Sequence, residues 1–365
     1  MATLVIDLMD RRPIWALPDR SRAAILAAVP ADWTVRFMET PADGSGDGVQ
    51  RAPPELLEAV ADARVYMGYG IPPEVLTSAP GLEWVHSGAA GVGSSLGAEM
   101  LERDVLFTNS AGIHAAPMAE TALGMMLHFA RGLDVAVRAQ REGRWSAPEY
   151  WAADAPVTEL GGSTVGIVGY GGIGRAVAAR VAALGGRVVA VRRRGGVGGG
   201  RLVGRRRLVG AGAVGAEGDA MAARAAEVVA GSAGLDRVIA EADFLVLAVP
   251  ETPLTRGLMT RGRLFAMKPG SVLINVARGR LVDETALLDA LDSGLLRGAG
   301  LDVFQTEPLP PGHPFYAHPA VLMTPHVSAT TRRFWGRETD LITDNIGRFL
   351  RGEPLRNLVD KAAGY

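Results

Sequence analysis

The stretch TVGIVGYGGIGRAVAARVAAL, residues 164–184, decides the fold. It reads as an apolar strand, a glycine-rich turn and a helix. In the turn, Gly169, Gly171 and Gly174 have the GxGxxG spacing, and Ile173 precedes the last glycine. The first glycine permits a tight turn, the second lets the backbone approach a diphosphate, and the third allows close helix–strand packing. Because a helix N-terminus offers amide donors and a positive dipole, this stretch predicts a dinucleotide-binding unit.

Apolar runs on both sides of this unit alternate with helical patterns. Such alternation is typical of a parallel sheet covered by helices. The runs in the second half are continuously apolar, as strands buried on both faces require. The predicted strands are residues 3–8, 33–38, 64–69, 82–87 and 105–109 in a first series, and residues 164–169, 187–191, 244–249, 271–276, 298–303 and 321–324 in a second.

The length of 365 residues, 48% of them hydrophobic, suits two domains. A helical stretch at 117–141 separates the two series of strands, and an amphipathic pattern at 337–351 predicts a last helix that returns to the first series. We therefore predict an α/β fold in which one domain is discontinuous. The substrate-binding domain comprises residues 1–115 and 331–365, and the dinucleotide-binding domain comprises residues 116–330.

A Gly- and Arg-rich insertion occupies residues 192–217. Its glycine content makes ordering costly in conformational entropy, so we expect a surface loop. It contains seven arginines but no interleaved aromatic residues. A surface loop is therefore the favoured interpretation, ahead of an arm that binds nucleic acid or a membrane.

Composition excludes several classes of chemistry. The chain has no cysteine, which removes disulfides, thiolate metal sites and thiol nucleophiles, and it has no HExxH motif. A net charge of −1 provides no overall field for nucleic acid or an anionic membrane. Residues 1–8 form neither a basic leader nor a long apolar segment, so we interpret the chain as cytoplasmic.

The strand predicted at 187–191 ends in arginine. NAD-binding turns are followed at this place by an acidic residue that binds the ribose hydroxyls, but here Arg192 and Arg193 follow. Guanidinium groups bind a 2′-phosphate well, so the sequence favours NADP(H) as cofactor and leaves NAD(H) possible.

Six residues of the second series lie at or just beyond the carboxyl ends of predicted strands. In an open α/β sheet, that edge forms the ligand crevice. The six are Gly169, Arg192, Pro250, Arg278, Asp302 and His326.

Arg278, Glu307 and His326 are the candidate catalytic residues. His326 can exchange a proton with an oxygen near neutral pH, Glu307 can orient its ring and raise its pKa, and Arg278 can bind a carboxylate. Taken singly, Arg278 also suits a surface ion pair and Glu307 a loop carboxylate. With a nicotinamide cofactor, the three residues together predict carbonyl reduction.

The other five histidines have simpler explanations. His128, His313 and His318 suit packing or solvent-exposed positions. His86 and His114 flank segments that could face a cleft, but the sequence pairs neither of them with a base or a metal, and no metal site is predicted.

Several long motifs, in order, resemble the D-isomer-specific 2-hydroxyacid dehydrogenase family, of which the glyoxylate and hydroxypyruvate reductases are members. The resemblance begins near Leu82 and covers most of the remaining chain. The motifs are LEWVHSGAAGVG, TNSAGIHAAPMAETALGMMLHFAR, GYGGIG, VPETPLTRGL, MKPGSVLINVARGRLVDETALLDAL, GAGLDVFQTEPLP, TPHVSAT and GEPLRN.

This resemblance implies two Rossmann/flavodoxin-like domains joined by a hinge, with the substrate between them and a homodimer built on the cofactor domain. It implies Arg278 as the ligand of the substrate carboxylate, His326 as the acid/base and Glu307 as its partner. Backbone amides around Ala90 and Gly91 would share the carboxylate. Val249, Ala277 and Asp302 would line the nicotinamide side. Pro250, from its position at a strand end, is a further candidate for the cofactor site.

The sequence therefore predicts an oxidoreductase that transfers a hydride between NAD(P)H and C2 of a small 2-oxo acid or D-2-hydroxy acid, such as glyoxylate or hydroxypyruvate. Two alternatives stay open. One is a nucleotide-sensing binding protein resembling the corepressors that share this fold, and the other is a phosphite-type dehydrogenase. Glu307 argues against a formate dehydrogenase, in which the resemblance would predict glutamine.

Overall fold

A computed structural model describes residues 2–41, 51–193, 226–362 and 364. Most of the predicted insertion, from residue 194 onward, lies outside the described residues. The strands are β1 (Thr3–Asp7), β2 (Thr34–Phe37), β3 (Ala63–Gly68), β4 (Trp84–Ser87), β5 (Leu106–Asn109), β6 (Thr164–Val168), β7 (Arg187–Arg192), β8 (Ala226–Ala230), β9 (Phe244–Leu247), β10 (Val272–Asn275), β11 (Gly298–Leu301) and β12 (Val321–Met323). The α-helices are α1 (Asp19–Ala28), α2 (Pro54–Val60), α3 (Pro73–Ser78), α4 (Ala98–Glu102), α5 (Ala115–Ala130), α6 (Leu133–Arg141), α7 (Ala147–Trp151), α8 (Gly172–Ala183), α9 (Gly231–Glu241), α10 (Arg261–Phe265), α11 (Glu284–Asp292) and α12 (Phe334–Leu350).

The described residues form two compact units. Unit 1 contains the chain up to His114 and again from Thr330, and unit 2 contains the described residues from Ala115 to Ala329.

Unit 1 is built on a five-stranded parallel sheet. Its strand order is β2-β1-β3-β4-β5, which is the flavodoxin-like order. Helix α12 belongs to this unit and packs on α1. Its apolar face is buried through Phe334, Leu341, Ile342 and Ile346, which join the core formed by β1, β3 and β4.

Unit 2 is built on a seven-stranded parallel sheet. Its strand order is β12-β11-β10-β9-β6-β7-β8, so that β6 lies between β7 and β9 at the point where the order reverses. Nearly all residues of β6, β9, β10 and β11 are buried, as the continuous apolar runs predict. The predicted fold class of two parallel α/β domains is confirmed.

The helix predicted at 117–141 is two helices. Helix α5 ends at Ala130 and α6 begins at Leu133, because Gly132 between them adopts a left-handed backbone with a φ of 61°. Helix α5 packs against α8 and β10 within unit 2. In the described part of the chain, no helix is long and apolar enough to cross a membrane.

Candidate functional site

In the turn after β6, two of the three glycines leave no room for a side chain, and the third has open space beside it. Gly169 has a φ of 101°, and an added Cβ there would overlap the carbonyl of Ala248. A Cβ on Gly174 would overlap the carbonyl of Gly169. At Gly171, which precedes α8, an added Cβ would have no atom within 4 Å. The backbone is therefore accessible beside the start of α8, where a dinucleotide diphosphate would fit.

Two arginines lie at the end of β7, the strand next to β6. Arg192 is the last residue of β7 and is partly buried, and Arg193 is exposed. Guanidinium groups at this position fit a cofactor with a phosphorylated ribose.

All six predicted strand-end residues lie at one edge of the larger sheet, because its strands are parallel. Gly169 and Asp302 directly follow β6 and β11, and Arg192 ends β7. Arg278 and His326 each lie three residues beyond the end of a strand, β10 and β12 respectively. Pro250 follows β9 by the same distance.

His326 and Glu307 form a hydrogen-bonded pair. The distance from His326 Nδ1 to Glu307 Oε2 is 2.7 Å, and the other carboxylate oxygen, Oε1, accepts the backbone N–H of Phe304 at 2.9 Å. The His326 side chain keeps 39% of its surface exposed. Because Nδ1 is engaged by Glu307, Nε2 is the nitrogen available to a ligand.

The pair shifts both pKa values. The hydrogen bond with Glu307 raises the pKa of His326 above its ordinary value of 6.5, although partial burial opposes this shift. Burial alone raises the pKa of Glu307, but the hydrogen bonds from His326 and Phe304 and the positive charges of His326 and Arg278 lower it below 4.5. Both shifts favour a protonated imidazole beside an ionised carboxylate.

Asp302 fixes the segment that carries His326. Its carboxylate is fully buried and accepts hydrogen bonds from Thr324 Oγ1 at 2.6 Å, Val327 N at 2.9 Å and Ser328 N at 3.0 Å. Its backbone carbonyl accepts the N–H of His326 at 2.8 Å. These four bonds hold His326 at a φ of 53°, a left-handed conformation that residues other than glycine rarely adopt.

Arg278 lies in a turn that packs against the loop carrying Glu307. Buried Asn275 shapes the turn, since its Nδ2 donates to the carbonyl of Arg278 at 3.0 Å and its Oδ1 accepts the N–H of Ala277 at 3.1 Å. An added Cβ on Gly279 would overlap the backbone of Phe304. This close approach brings Arg278 near enough for its charge to influence Glu307 and His326.

Sequence analysis missed several residues that position this site. Asn275 and Gly279 are two of them, and Glu284 is a third, because its Oε1 accepts the backbone N–H of Gln305 at 2.7 Å. Asp283 caps α11 through the N–H of Ala286 and so starts the helix that carries Glu284. One signal in the sequence could have identified Asn275. It is a polar residue at the end of an apolar strand, at the start of NVARG, and asparagine at such a place predicts a turn held by its side chain.

The Ala89–Gly91 loop follows β4 in unit 1. Asn109 Nδ2 donates to the carbonyl of Ala90 at 2.8 Å, and the N–H of Ser110 donates to the carbonyl of Ala89 at 3.2 Å. Ala90 is exposed and Gly91 is partly exposed. The loop is thus anchored by residues at the end of the neighbouring strand β5.

The expectation that His86 lacks a partner base is wrong. His86 Nε2 lies 3.0 Å from Glu338 Oε1 and Nδ1 lies 2.9 Å from Thr108 Oγ1, and Ser110 Oγ donates to both oxygens of Glu338. All four residues are fully buried. Sequence pattern could not pair two residues that are 252 positions apart. His114 is also packed, with its ring stacked on Phe334 at 5.4 Å.

Among the described residues, no group of three or more His, Asp or Glu side chains is arranged to hold a metal ion.

The strand order, the glycine turn on β6 and the polar edge beside it define unit 2 as a Rossmann-type dinucleotide-binding domain. The family model of the D-isomer specific 2-hydroxyacid dehydrogenase NAD binding domain matches residues 123–198 and 196–328. The chain belongs to the D-isomer specific 2-hydroxyacid dehydrogenase family.

Individual relatives agree with this assignment. D-3-phosphoglycerate dehydrogenase from Mycobacterium tuberculosis is 33% identical over 355 residues, which are 96% of this chain but 60% of that protein. The chain thus spans about three fifths of the length of such relatives. Glyoxylate reductase from Korarchaeum cryptofilum is 31% identical over 320 residues, 85% of this chain and 87% of that one. A D-isomer specific 2-hydroxyacid dehydrogenase from Xanthobacter autotrophicus, solved with NADPH and MES, has a TM-score of 0.74 at 31% identity and covers 100% of this chain and 99% of its own.

Proposed function

We propose that this chain is an NADPH-preferring reductase of a small 2-oxo acid, formally a D-2-hydroxyacid dehydrogenase. One observation carries the proposal. The hydrogen-bonded His326–Glu307 pair lies at the same sheet edge as the glycine turn and within the electrostatic influence of Arg278. A binding protein that only senses a nucleotide would not need a proton donor with a raised pKa beside a cation that suits a carboxylate.

Each of these side chains has a defined task in the reduction. Arg278 binds the substrate carboxylate, and the family resemblance adds the backbone amides of Ala90 and Gly91. Bound NAD(P)H supplies the hydride. Protonated His326 donates its Nε2 proton to the oxygen on C2, while Glu307 holds the ring and keeps its pKa high.

The residues that would hold the cofactor lie along the same edge. The turn of Gly169, Gly171, Ile173 and Gly174 would bind the diphosphate, and Arg192 with Arg193 the 2′-phosphate. Val249, Pro250 and Ala277 would line the nicotinamide side. Asp302 borders that side too, but its carboxylate is already bonded to three groups of the 324–328 segment. We therefore assign Asp302 a positioning role toward His326.

Unit 2 would accordingly be the cofactor domain and unit 1 the substrate domain. We also propose a homodimer, which the family resemblance implies. Two highly exposed tryptophans of unit 2, Trp145 and Trp151, support it.

The test is NADPH consumption by the purified protein with glyoxylate, hydroxypyruvate and pyruvate. We expect His326→Ala to lower turnover by about 10²–10⁴-fold without changing NADPH affinity, because the substitution removes the proton donor and leaves the dinucleotide turn intact. His318→Ala, which changes a histidine far from this edge, is the matched control. Absence of NADPH consumption with every 2-oxo acid would contradict the proposed reaction, and full turnover by His326→Ala would contradict the role of His326.

A further inference from the structure

A polar cavity in unit 1 has no part in the proposed reaction. Its volume is about 200 Å³, against roughly 30 Å³ for one water in the liquid. It is lined by Ala111, Ile113, Arg337, Asp340, Leu341, Arg356 and Asn357. The cavity thus has room for one small polyatomic ion with its remaining waters.

The walls of this cavity are held by hydrogen bonds between distant segments. Arg337 Nη1 donates to the carbonyl of Ile113 at 3.0 Å, and Asn357 Nδ2 donates to the carbonyls of Asn109 and Ala111. Asn345, which is fully buried, binds both the N–H and the carbonyl of Arg356. The cavity is therefore preformed and does not need to be assembled by a ligand.

Positive charge exceeds negative charge in this cavity. Arg337 and Arg356 face it together with a single acid, Asp340. Arg356 Nη1 lies 3.2 Å from Asp344 Oδ2, but Arg348 Nε contacts the same oxygen at 3.0 Å, so that Asp344 offsets only one of the two guanidiniums. Counting these five residues, three cations meet two anions.

The guanidiniums also have donors to spare. Arg337 makes one side-chain hydrogen bond in the described part of the chain, and Arg356 likewise makes one. A guanidinium has five N–H donors arranged in a planar fork that matches the two oxygens of a carboxylate or phosphate. We infer that this cavity binds a small oxyanion, held by Arg337 and Arg356.

The test uses inorganic phosphate, with the δ1 methyl of Ile113, a residue that lines the cavity, as a site-resolved NMR probe in the full chain. Ile173 in the glycine turn reports separately on phosphate bound there. We expect a saturable shift of Ile113 that sodium chloride at equal ionic strength does not reproduce. Arg337→Gln and Arg356→Gln should each weaken this binding about tenfold or more, because each removes charge-assisted hydrogen bonds.

Two further variants sharpen the experiment. Asp340→Asn removes the opposing charge, so it should tighten phosphate binding at Ile113, whereas Arg332→Gln changes an exposed arginine outside the cavity and should leave it unchanged. An Ile113 shift that is absent, or equal in the wild type and both arginine variants, would overturn the inference. Circular dichroism of each variant establishes that the fold is kept.

The same contacts connect the cavity to the loop proposed to bind substrate. Asn357 binds the carbonyl of Asn109, and Asn109 Nδ2 binds the carbonyl of Ala90. Resting on the proposed function, the inference extends to an effector role: phosphate at a concentration near the wild-type Kd at Ile113 should change the KM for the 2-oxo acid in the wild type, and in Arg356→Gln the same change should need about tenfold more phosphate or higher. Phosphate binding at Ile113 with an unchanged KM would overturn this extension, and an inactive protein that still shows the Ile113 shift would instead count against the proposed reaction.

Discussion

His326 adopts a backbone conformation that its side chain does not favour. Asp302 maintains the His326 φ of 53°. The backbone carbonyl of Asp302 accepts the N–H of His326, and its carboxylate accepts the N–H of the next residue, Val327. Such conformations cost about 1–3 kcal/mol and persist where the surroundings determine them. The result is an imidazole whose Nδ1 faces Glu307, which leaves Nε2 for proton transfer.

The pH dependence of reduction follows from the pKa of His326. Because Glu307 raises that pKa above 6.5, kcat/KM for the 2-oxo acid should be highest below the folded-state pKa of His326 and fall as the pH rises through it. Glu307→Gln removes the stabilising charge, so the fall should move to lower pH. The measurement is a pH–rate profile of both proteins, with NADPH affinity as a control. An unmoved profile would show that Glu307 does not set the pKa of His326.

The same shifts give the pair a pH window for stability. A raised histidine pKa contributes stability that is fully present below about 6.5 and is lost as the pH rises through the higher folded-state pKa. A lowered carboxyl pKa contributes stability that is lost as the pH falls through the folded-state pKa of Glu307, below 4.5. The pair therefore stabilises unit 2 most between about pH 4.5 and pH 6.5, where both contributions are present.

Sequence pattern predicted Arg278 and His326 as site residues because each follows a recognisable strand, but it could not show what holds them. The contact of Gly279 with Phe304 joins two loops through backbone atoms, and no side-chain pattern records it. The hydrogen bonds of the Asp302 carboxylate are likewise not visible in the sequence. Its place at the end of β11 was predictable, whereas its three donors from residues 324–328 depend on the pairing of β11 with β12.

At the scale of elements, the end of β7 is expected to select the cofactor. In Arg192→Asp combined with Arg193→Ala, a carboxylate would repel a 2′-phosphate and two guanidiniums would be lost, so NADPH use should weaken relative to NADH. The measurement is kcat/KM for both cofactors with a single 2-oxo acid. Arg187→Ala, at the other end of the same strand, is the control. An unchanged cofactor preference would remove Arg192 and Arg193 from the cofactor site.

Helix α12 is tied to β4 and to the end of β5 through a buried, hydrogen-bonded carboxyl group. Glu338 meets His86 and Ser110 where none of the three has exposed surface. Glu338→Ala would leave their polar groups without this partner, and leaving a buried polar group unsatisfied typically costs about 1–3 kcal/mol. We expect a loss of that order in urea unfolding, against a small change for exposed Asp340→Ala on the same helix. Equal stability of the two variants would contradict a structural role for this buried group.

One strand was not predicted from the sequence and two helices were predicted as one, and each error has a physical reason. Strand β8 is a half-buried edge strand, AEVVA, without a continuous apolar run, so its pattern is weak. The long helical pattern across α5 and α6 contains two glycines, Gly124 and Gly132, and a helix tolerates each at a cost of about 1 kcal/mol, as it does for Gly124 inside α5. The structure shows that Gly132 instead ends the first helix, and Tyr150 Oη donates to its carbonyl at 2.5 Å.

At the scale of the whole molecule, two tryptophans indicate how the chain would associate. Trp145 and Trp151 are 90% and 80% exposed, and both lie in the segment that follows α6 and forms α7. Tryptophan is enriched at protein interfaces, and each ring buries about 150–250 Å² on association. With their copies across a two-fold axis, four such rings would supply a large part of the roughly 1,200–2,000 Å² that a stable interface needs.

We therefore expect the wild type to have twice the monomer mass of 38.2 kDa in light scattering coupled to size exclusion. Trp145→Ala combined with Trp151→Ala should shift the protein toward monomer, because the central anchors of an interface carry most of its binding energy. Leu254→Ala is the matched control, since Leu254 is also in unit 2 and 75% exposed but lies outside this segment. A monomeric wild type would contradict the homodimer, and a dimer that survives the double substitution would place the interface elsewhere on the molecule.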